Sequence, residues 1–265
     1  MKRFIYSLGL GCGVWLTTGC SVLGQADSFT LTADLPPDFT YTAIATYVPV
    51  KGQTCTPGKR DTTLAFNQFW RSDYVYQPTH DIPLYRTASG CALALHNVAL
   101  DVKAAYGKAR GDSSGDYATI AVRDELLEAT KGTFDAAGES KLSGQCQWSF
   151  RTMGKPRILT KLLTCKKTDA QGTVTRGHPF AAYTLDQLPG KTVKLSIKLA
   201  EEEKPAIGDT WVKVPGGWKR CMGDNFEDQY AFCYGNHTDF STFKMVDGRV
   251  CTIYPGCTEN KEQTP

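Results

Sequence analysis

The stretch Gln145-Cys146-Gln147-Trp148-Ser149-Phe150-Arg151-Thr152, then Met153-Gly154-Lys155-Pro156, then Arg157-Ile158-Leu159-Thr160-Lys161-Leu162-Leu163-Thr164-Cys165-Lys166, decides the fold class. Its first run alternates polar and apolar side chains with the period of a half-buried strand. Gly154-Lys155-Pro156 supplies a turn, and Arg157 to Lys166 reads as a second strand. Folding one run on the other sets Cys146 opposite Cys165, Trp148 opposite Leu163, Phe150 opposite Lys161 and Thr152 opposite Leu159. A cross-strand disulfide follows, and closing a loop of that size stabilises by roughly 3 kcal/mol in the chain-entropy picture.

Further strand signals surround this hairpin. Thr30, Thr32, Thr40, Thr42, Ile44, Tyr47 and Val48 are strand formers, interrupted at Pro36-Pro37 and Pro49. Ala92 to Tyr106 reads as one long strand. Leu93 and Leu95 lie on one face of it and Val98, Leu100 and Val102 on the other, and that switch at His96-Asn97 predicts a bulge. Lys191 to Ala200 alternates cleanly, with Val193, Leu195, Ile197 and Leu199 on the buried face. Asp247-Gly248 between Phe243–Val246 and Arg249–Ile253 predicts a hairpin with a type I′ turn. Asp124 to Lys131, flanked by Gly132, is the best helical candidate. The fold expected is mainly β with few short helices, a β-rich α+β chain of antiparallel sheets and hairpins stapled by about four disulfides.

The start of the chain predicts export. Lys2 and Arg3 precede a short apolar run from Phe4 to Leu16 and small residues before the break, the build of a secretory signal rather than a membrane span, with simple cleavage or a retained anchor as the alternatives to lipidation. Leu16-Thr17-Thr18-Gly19-Cys20 resembles the lipobox of bacterial lipoproteins, with Thr17 where that family usually carries Leu. The resemblance implies cleavage after residue 19, lipidation of Cys20, and, with Ser21 next, sorting to the periplasmic side of the outer membrane. Ten cysteines then leave eight beyond Cys12 and Cys20. An even number in an exported chain predicts disulfides among Cys55, Cys91, Cys146, Cys165, Cys221, Cys233, Cys251 and Cys257. Cys55 with Cys91 is the economical pairing in the first half, while the last four stay open.

The expected organisation is a signal at 1–19, a tether at 20–28, a β-rich domain or half at 29–204, a cysteine-rich aromatic module at 205–257 packed on it, and a disordered tail at 258–265. Glu201-Glu202-Glu203-Lys204-Pro205 is either the boundary or a loop between strands. Loss of Lys2 and Arg3 lowers the formal charge from +3 to +1. That near-neutral balance argues against a nucleic-acid partner.

Catalytic signals are weak. Gly111-Asp112-Ser113-Ser114-Gly115 fits the Gly-x-Ser-x-Gly pattern, but that chemistry needs a strand before the serine and a helix after it. Here Tyr117 to Val122 behind it reads as a strand, and only His178 and His237 follow as bases. His80 and His96 stand apart as loop or strand polarity. No Cys-x-x-Cys pair occurs, and the acidic cluster Asp224, Glu227, Asp228 and Asp239 around His237 lacks the spacing of a calcium loop. No metal, cofactor or catalytic residue is expected. The final module instead concentrates aromatic side chains, and Trp218, Tyr230, Tyr234, Asp224 and Asp228 are the candidate partner-binding residues.

Four blocks carry a family resemblance: the lipobox ending at Cys20; Tyr47-Val48-Pro49-Val50 before Cys55; Cys146-Gln147-Trp148-Ser149-Phe150-Arg151 through Cys165; and Gly217-Trp218-Lys219-Arg220-Cys221. With them the chain resembles the periplasmic immunity lipoproteins that accompany phospholipase effectors of type VI secretion systems. The resemblance implies a membrane-anchored protein that binds a toxic lipase and blocks its active site. Two rivals remain at this point: an envelope structural or accessory lipoprotein binding a secretion-system component or a glycan, and, more remotely, a serine hydrolase using Ser113.

Overall fold

The computed structural model describes residues 27–68, 75–109 and 111–257. The signal at 1–19, Cys20, most of the tether, Phe69, Trp70, Tyr74 and the tail at 258–265 lie outside the described residues. The chain is mainly β. In order come β1 (Ser28–Asp34), β2 (Phe39–Pro49), β3 (Thr63–Phe66), β4 (Thr79–Pro83), β5 (Tyr85–Ala88), β6 (Cys91–Ala105), β7 (Ser113–Val122), β8 (Glu139–Met153) and β9 (Ile158–Lys167). They are followed by β10 (Phe180–Tyr183), β11 (Thr192–Leu199), β12 (Lys204–Pro205), β13 (Trp211–Val214), β14 (Gly217–Cys221), β15 (Phe240–Ser241), β16 (Phe243–Lys244), β17 (Val250–Cys251) and β18 (Tyr254–Pro255).

Two sheets face one another across a common core. The larger has the order β17-β16-β9-β8-β11-β1-β4, with β12 also on β8; the second runs β10-β7-β6-β2-β3, with β5 also on β6. Leu31, Val193, Leu195 and Leu142 from the first sheet pack with Tyr41, Ala43, Leu100 and Ile120 from the second, all buried. Each large apolar side chain so buried contributes about 1.5–3 kcal/mol over its exposed state.

The founding hairpin has the expected register: Cys146 pairs Cys165, Trp148 pairs Leu163, Phe150 pairs Lys161 and Thr152 pairs Leu159. The disulfides are Cys55–Cys91, Cys146–Cys165, Cys221–Cys233 and Cys251–Cys257. The bulge is also present. Thr46 pairs Asn97 and Tyr47 pairs Leu95, so His96 is the extra residue. It resets the side-chain alternation, which is why Leu93, Leu95, Val98, Leu100 and Val102 all reach the core.

Several expectations need correction. The sheets are not purely antiparallel, because β11 runs parallel to both β1 and β8, and β10 parallel to β7. Asp124 to Lys131 forms only a single 3-10 turn at Glu128–Thr130; Leu127 is 76% exposed, so no apolar stripe is seated to hold a helix. Arg157 does not open a strand but closes the turn, with φ +51 and its amide donating to the Gly154 carbonyl. At Asp247-Gly248 only the glycine has positive φ, and the Gly248 amide donates to the Met245 carbonyl. The loop is therefore a three-residue one rather than type I′. Leu199, at the end of β11, is 37% exposed.

The final module continues the larger sheet. β16 joins β9 through Lys244 and Ile158, and a small sheet of β13, β14, β15 and β18 stands beside it. A second core forms between them from Phe150 and Leu159 of the hairpin with Trp211, Phe243, Cys251 and Tyr254. The segment before the module is fixed rather than loose. Glu203 pairs with Lys161 at 2.7 Å, and Lys204 and Pro205 lie along Ser149 and Phe150 of β8.

Strand β8 also gives the molecule a long axis. Thr30 pairs Thr192, and Thr192 pairs Glu139, so the beginning of β1 lies at the beginning of β8. The 15 residues of β8 then lead away from that end to Met153. At about 3.3 Å per residue, the hairpin tip stands about 45 Å along the strand from the point where the chain enters the fold.

Candidate binding face

The segment between β14 and β15, residues 222–239, folds over the hairpin tip. It is short of regular structure, so its carbonyl groups need partners. Two arginines supply them. Arg157, at 1% exposure, donates from Nη1 to the Cys221 carbonyl at 3.1 Å and to the Ser241 hydroxyl, and from Nη2 to the carbonyls of Met222 at 2.8 Å and Asn225 at 2.9 Å. Arg220, at 2% exposure, donates from Nε to Thr152 Oγ1 at 2.9 Å, from Nη1 to the carbonyls of Thr210 and Ala231, and from Nη2 to the Tyr230 carbonyl. Burial pulls both guanidinium pKa values down, that of Arg220 to about 10, with the nearby Arg157 charge adding to the effect and Asp228 opposing it. The fan of carbonyl dipoles is what makes two buried cations tolerable here.

Asp228 holds the same loop from the inside. Its Oδ1 accepts the amides of Ala231 at 2.9 Å and Tyr230 at 3.0 Å, and its Oδ2 accepts the Asp224 amide at 3.3 Å. Those amides, Ala231 first, hold its carboxyl below the usual value. The Cys221–Cys233 disulfide closes the loop, and Lys155 at the hairpin tip pairs with Glu227.

What this framework presents is aromatic. Phe226 is 53% exposed, Tyr230 64% and Tyr234 68%. The Tyr230 and Phe232 rings stack at 6.0 Å, and Phe232 meets Tyr234 at 5.8 Å. Arg157 lies 5.2 Å from the Phe226 ring centre on the inner side. Next to Tyr230 a cleft of about 200 Å³ is lined by Arg151, Met153, Arg220 and Gln229, joining the aromatic loop to the end of the hairpin. Large exposed rings thus stand on a loop held by two arginines, a carboxylate and a disulfide, which makes it the candidate binding face, since a surface fixed in advance has the low ordering cost that docking requires.

No known protein family, no curated protein and no solved structure matches this chain.

The candidate residues from the sequence thus separate. Tyr230 and Tyr234 stand on the exposed face, with Asp224 exposed beside them. Asp228 spends its carboxylate on loop amides. Trp218 is half-buried, 5.9 Å from the Phe150 ring in the second core, with Lys213 over it at 5.7 Å. Arg157 and Arg220 carry the architecture and were not singled out in the sequence. A signal existed for Arg220: it alternates with Trp218 along β14, which puts it on the ring-bearing side of that strand.

The remaining motifs lie elsewhere. Ser113 opens β7 on an exposed position with strand rather than helix behind it. Its neighbour Ser114 accepts the Leu163 amide, and Asp116 accepts the Cys165 amide at 2.6 Å, so this end of β7 satisfies the free edge of β9. His178 packs on Tyr117 at 3.9 Å and approaches Asp116 at 3.2 Å. Around His237, Glu227 is turned to Lys155 and Asp239 to Asn236. Among the described residues no three metal-ligating side chains converge, and no helix is long and apolar enough to cross a membrane.

Proposed function

We propose that this chain is a lipoprotein anchored through Cys20 on the periplasmic side of the outer membrane, and that it acts as an immunity protein that binds and inhibits a toxic lipase or phospholipase effector. The observation that carries the binding reading is the pair of exposed rings Tyr230 and Tyr234, with the half-buried Phe232 ring between them, on an internally pinned loop. Four disulfides support an oxidising compartment. The lipase identity of the partner rests on the sequence resemblance alone. In this reading the anchor raises the inhibitor's concentration at the membrane the lipase attacks, and the rigid face keeps the ordering cost of docking low.

The test uses the exported, oxidised Cys20→Ala protein as bait against a lysate of the native organism, followed by a vesicle-hydrolysis assay with the captured partner. One stoichiometric lipase, silenced by added bait, supports the reading. Capture of envelope components alone, or a lipase whose activity is unchanged, overturns it in favour of an accessory lipoprotein. The unanchored protein is expected to bind its partner as well as the anchored form and to protect cells poorly.

A further inference from the structure

We infer that the cleft at the end of the hairpin is an oxyanion site, in which the guanidinium of Arg151 takes the carboxylate of an aspartate or glutamate side chain brought by the bound partner. The inference rests on the reading of the chain as a binding protein and adds a site and the chemistry of what enters it.

The cleft exists because β12 is short. Lys204 and Pro205 run along Ser149 and Phe150, and the Ala206 amide donates to the Phe150 carbonyl, but no strand follows β8 on this edge from Arg151 onward. The walls of the gap, about 200 Å³ in volume, include Arg151, Thr152, Thr210, Arg220, Gln229 and Tyr230: two arginines, and no carboxylate. The four acids of residues 222–239 are engaged or placed elsewhere. Asp228 bonds loop amides, Glu227 pairs with Lys155, Asp239 accepts from Asn236, and Asp224 is exposed and does not line the cleft.

The two guanidinium groups differ in what they have to bond. Arg220, at 2% exposure, makes four hydrogen bonds, to Thr152, Thr210, Ala231 and Tyr230, with its five N–H groups. Arg151 has almost nothing. Its Nε is buried without a hydrogen-bond partner, and its fork makes only a 3.9 Å contact from Nη2 to the Met153 sulfur. Among the described residues no carboxylate pairs with it. A buried, unbonded N–H on a cation that shares its cleft with a second cation lacks the counter-ion such a group ordinarily has. A carboxylate offers two acceptors at the spacing of the guanidinium fork.

Size selects the source. Pockets that enclose a whole small molecule run about 300–1,000 Å³. This cleft is smaller and opens beside Tyr230, on the candidate binding face, so it suits a group projecting from a docked protein rather than a free ligand.

The test titrates the full-length lipoprotein, in nonionic detergent, with N-acetyl-glutamate N-methylamide and follows the Arg151 Nε–H signal by NMR. That signal is assigned by its absence from Arg151→Gln. Arg151 is half-buried and makes no hydrogen bond to the loop, so the variant keeps the wild-type melting curve. A saturable shift is expected, absent with the matching glutamine compound and weakened by salt. The Gln229 side-chain amide, read in both proteins, should bind-respond at least tenfold more weakly in the variant. No shift, or equal shifts with the two compounds, overturns the site. A stronger response to inorganic phosphate than to the glutamate compound overturns the carboxylate assignment, and vesicles of anionic phospholipid then tell a lipid headgroup from free phosphate. The lipase assay separates the two levels. A captured lipase silenced equally by wild type and Arg151→Gln removes the cleft from the partner interface and leaves the immunity reading standing. The glutamate shift without any captured lipase ends the immunity reading and leaves the oxyanion site.

Discussion

The guanidinium of Arg157 donates to the carbonyl of Asn225 at 2.9 Å across a sequence separation of 68 residues, and so fastens the tip of the central hairpin to the loop that carries the exposed rings. Because the same side chain also serves Cys221, Met222 and Ser241, its removal leaves several buried acceptors without a donor. Arg157→Met keeps much of the volume and none of the donors. It is expected to cost about 3 kcal/mol in urea denaturation and to open residues 222–239 to proteolysis. Arg157→Lys keeps the charge but not the planar fork, and falls between the two. Wild-type stability and wild-type protection in the methionine variant would show that the loop holds itself.

The Cys146–Cys165 bridge joins directly opposed strand residues whose Cα atoms are 3.9 Å apart, and both cysteines are buried. Replacing the pair with alanine lengthens the free chain of the unfolded state without removing a ladder bond. The expected loss is about 3 kcal/mol, with the hairpin register retained. Equilibrium unfolding of the double-alanine protein measures it, and a loss within error of zero would mean that the strand pairing alone fixes this hairpin.

That hairpin was legible because local pattern alone determines it: alternation, a turn and two cysteines at matching distances from the turn. The His96 bulge was legible for the same reason, since the apolar phase changes within one strand. The parallel pairing of β11 with β1 and β8 was not. It joins segments far apart in sequence, and their neighbours are chosen by packing between sheets, which no local period records. Arg157 escaped because an arginine beside Pro156 in a turn reads as a solvated charge. Only the carbonyls of residues 221–228, brought over it by the tertiary fold, give it reason to be buried. For the candidate face, Tyr230 and Tyr234 were visible as aromatics among loop residues, whereas Trp218, of the same chemical type, is half-buried because its strand faces Phe150.

Gly217 is the tightest backbone contact of the final module. Its φ is +148, and a Cβ there would meet the Tyr254 carbonyl oxygen at 1.9 Å. The obstructing atom is backbone paired across β14 and β18, so neither side can step aside cheaply. Gly217→Ala is expected to cost about 3 kcal/mol or more. Gly235→Ala makes the control: its φ is +78 but nothing lies within 4 Å of the added methyl. Only the backbone preference is lost there, about 1 kcal/mol. Thermal unfolding of the two variants side by side distinguishes them, and equal losses would contradict the contact argument.

Acid should loosen the loop of residues 222–239 through Asp228. Its carboxylate is held below the ordinary value of 3.8 by the amides of Ala231, Asp224 and Tyr230, which bond the ionised form and not the neutral one. A depressed folded pKa means that the unfolded chain takes up the proton first as pH falls. The stabilisation is therefore complete above the unfolded value of 3.8 and is lost as pH drops through the lower folded value. The Tyr230 and Ala231 amides, followed by hydrogen exchange or NMR shift, should lose protection in that acid window while the hairpin amides of β8 keep theirs. In Asp228→Asn the amides should be less protected at neutral pH and show no transition there. A wild-type loop indifferent to pH across the window, or the same transition in the asparagine variant, would remove Asp228 from the account of how the loop is held.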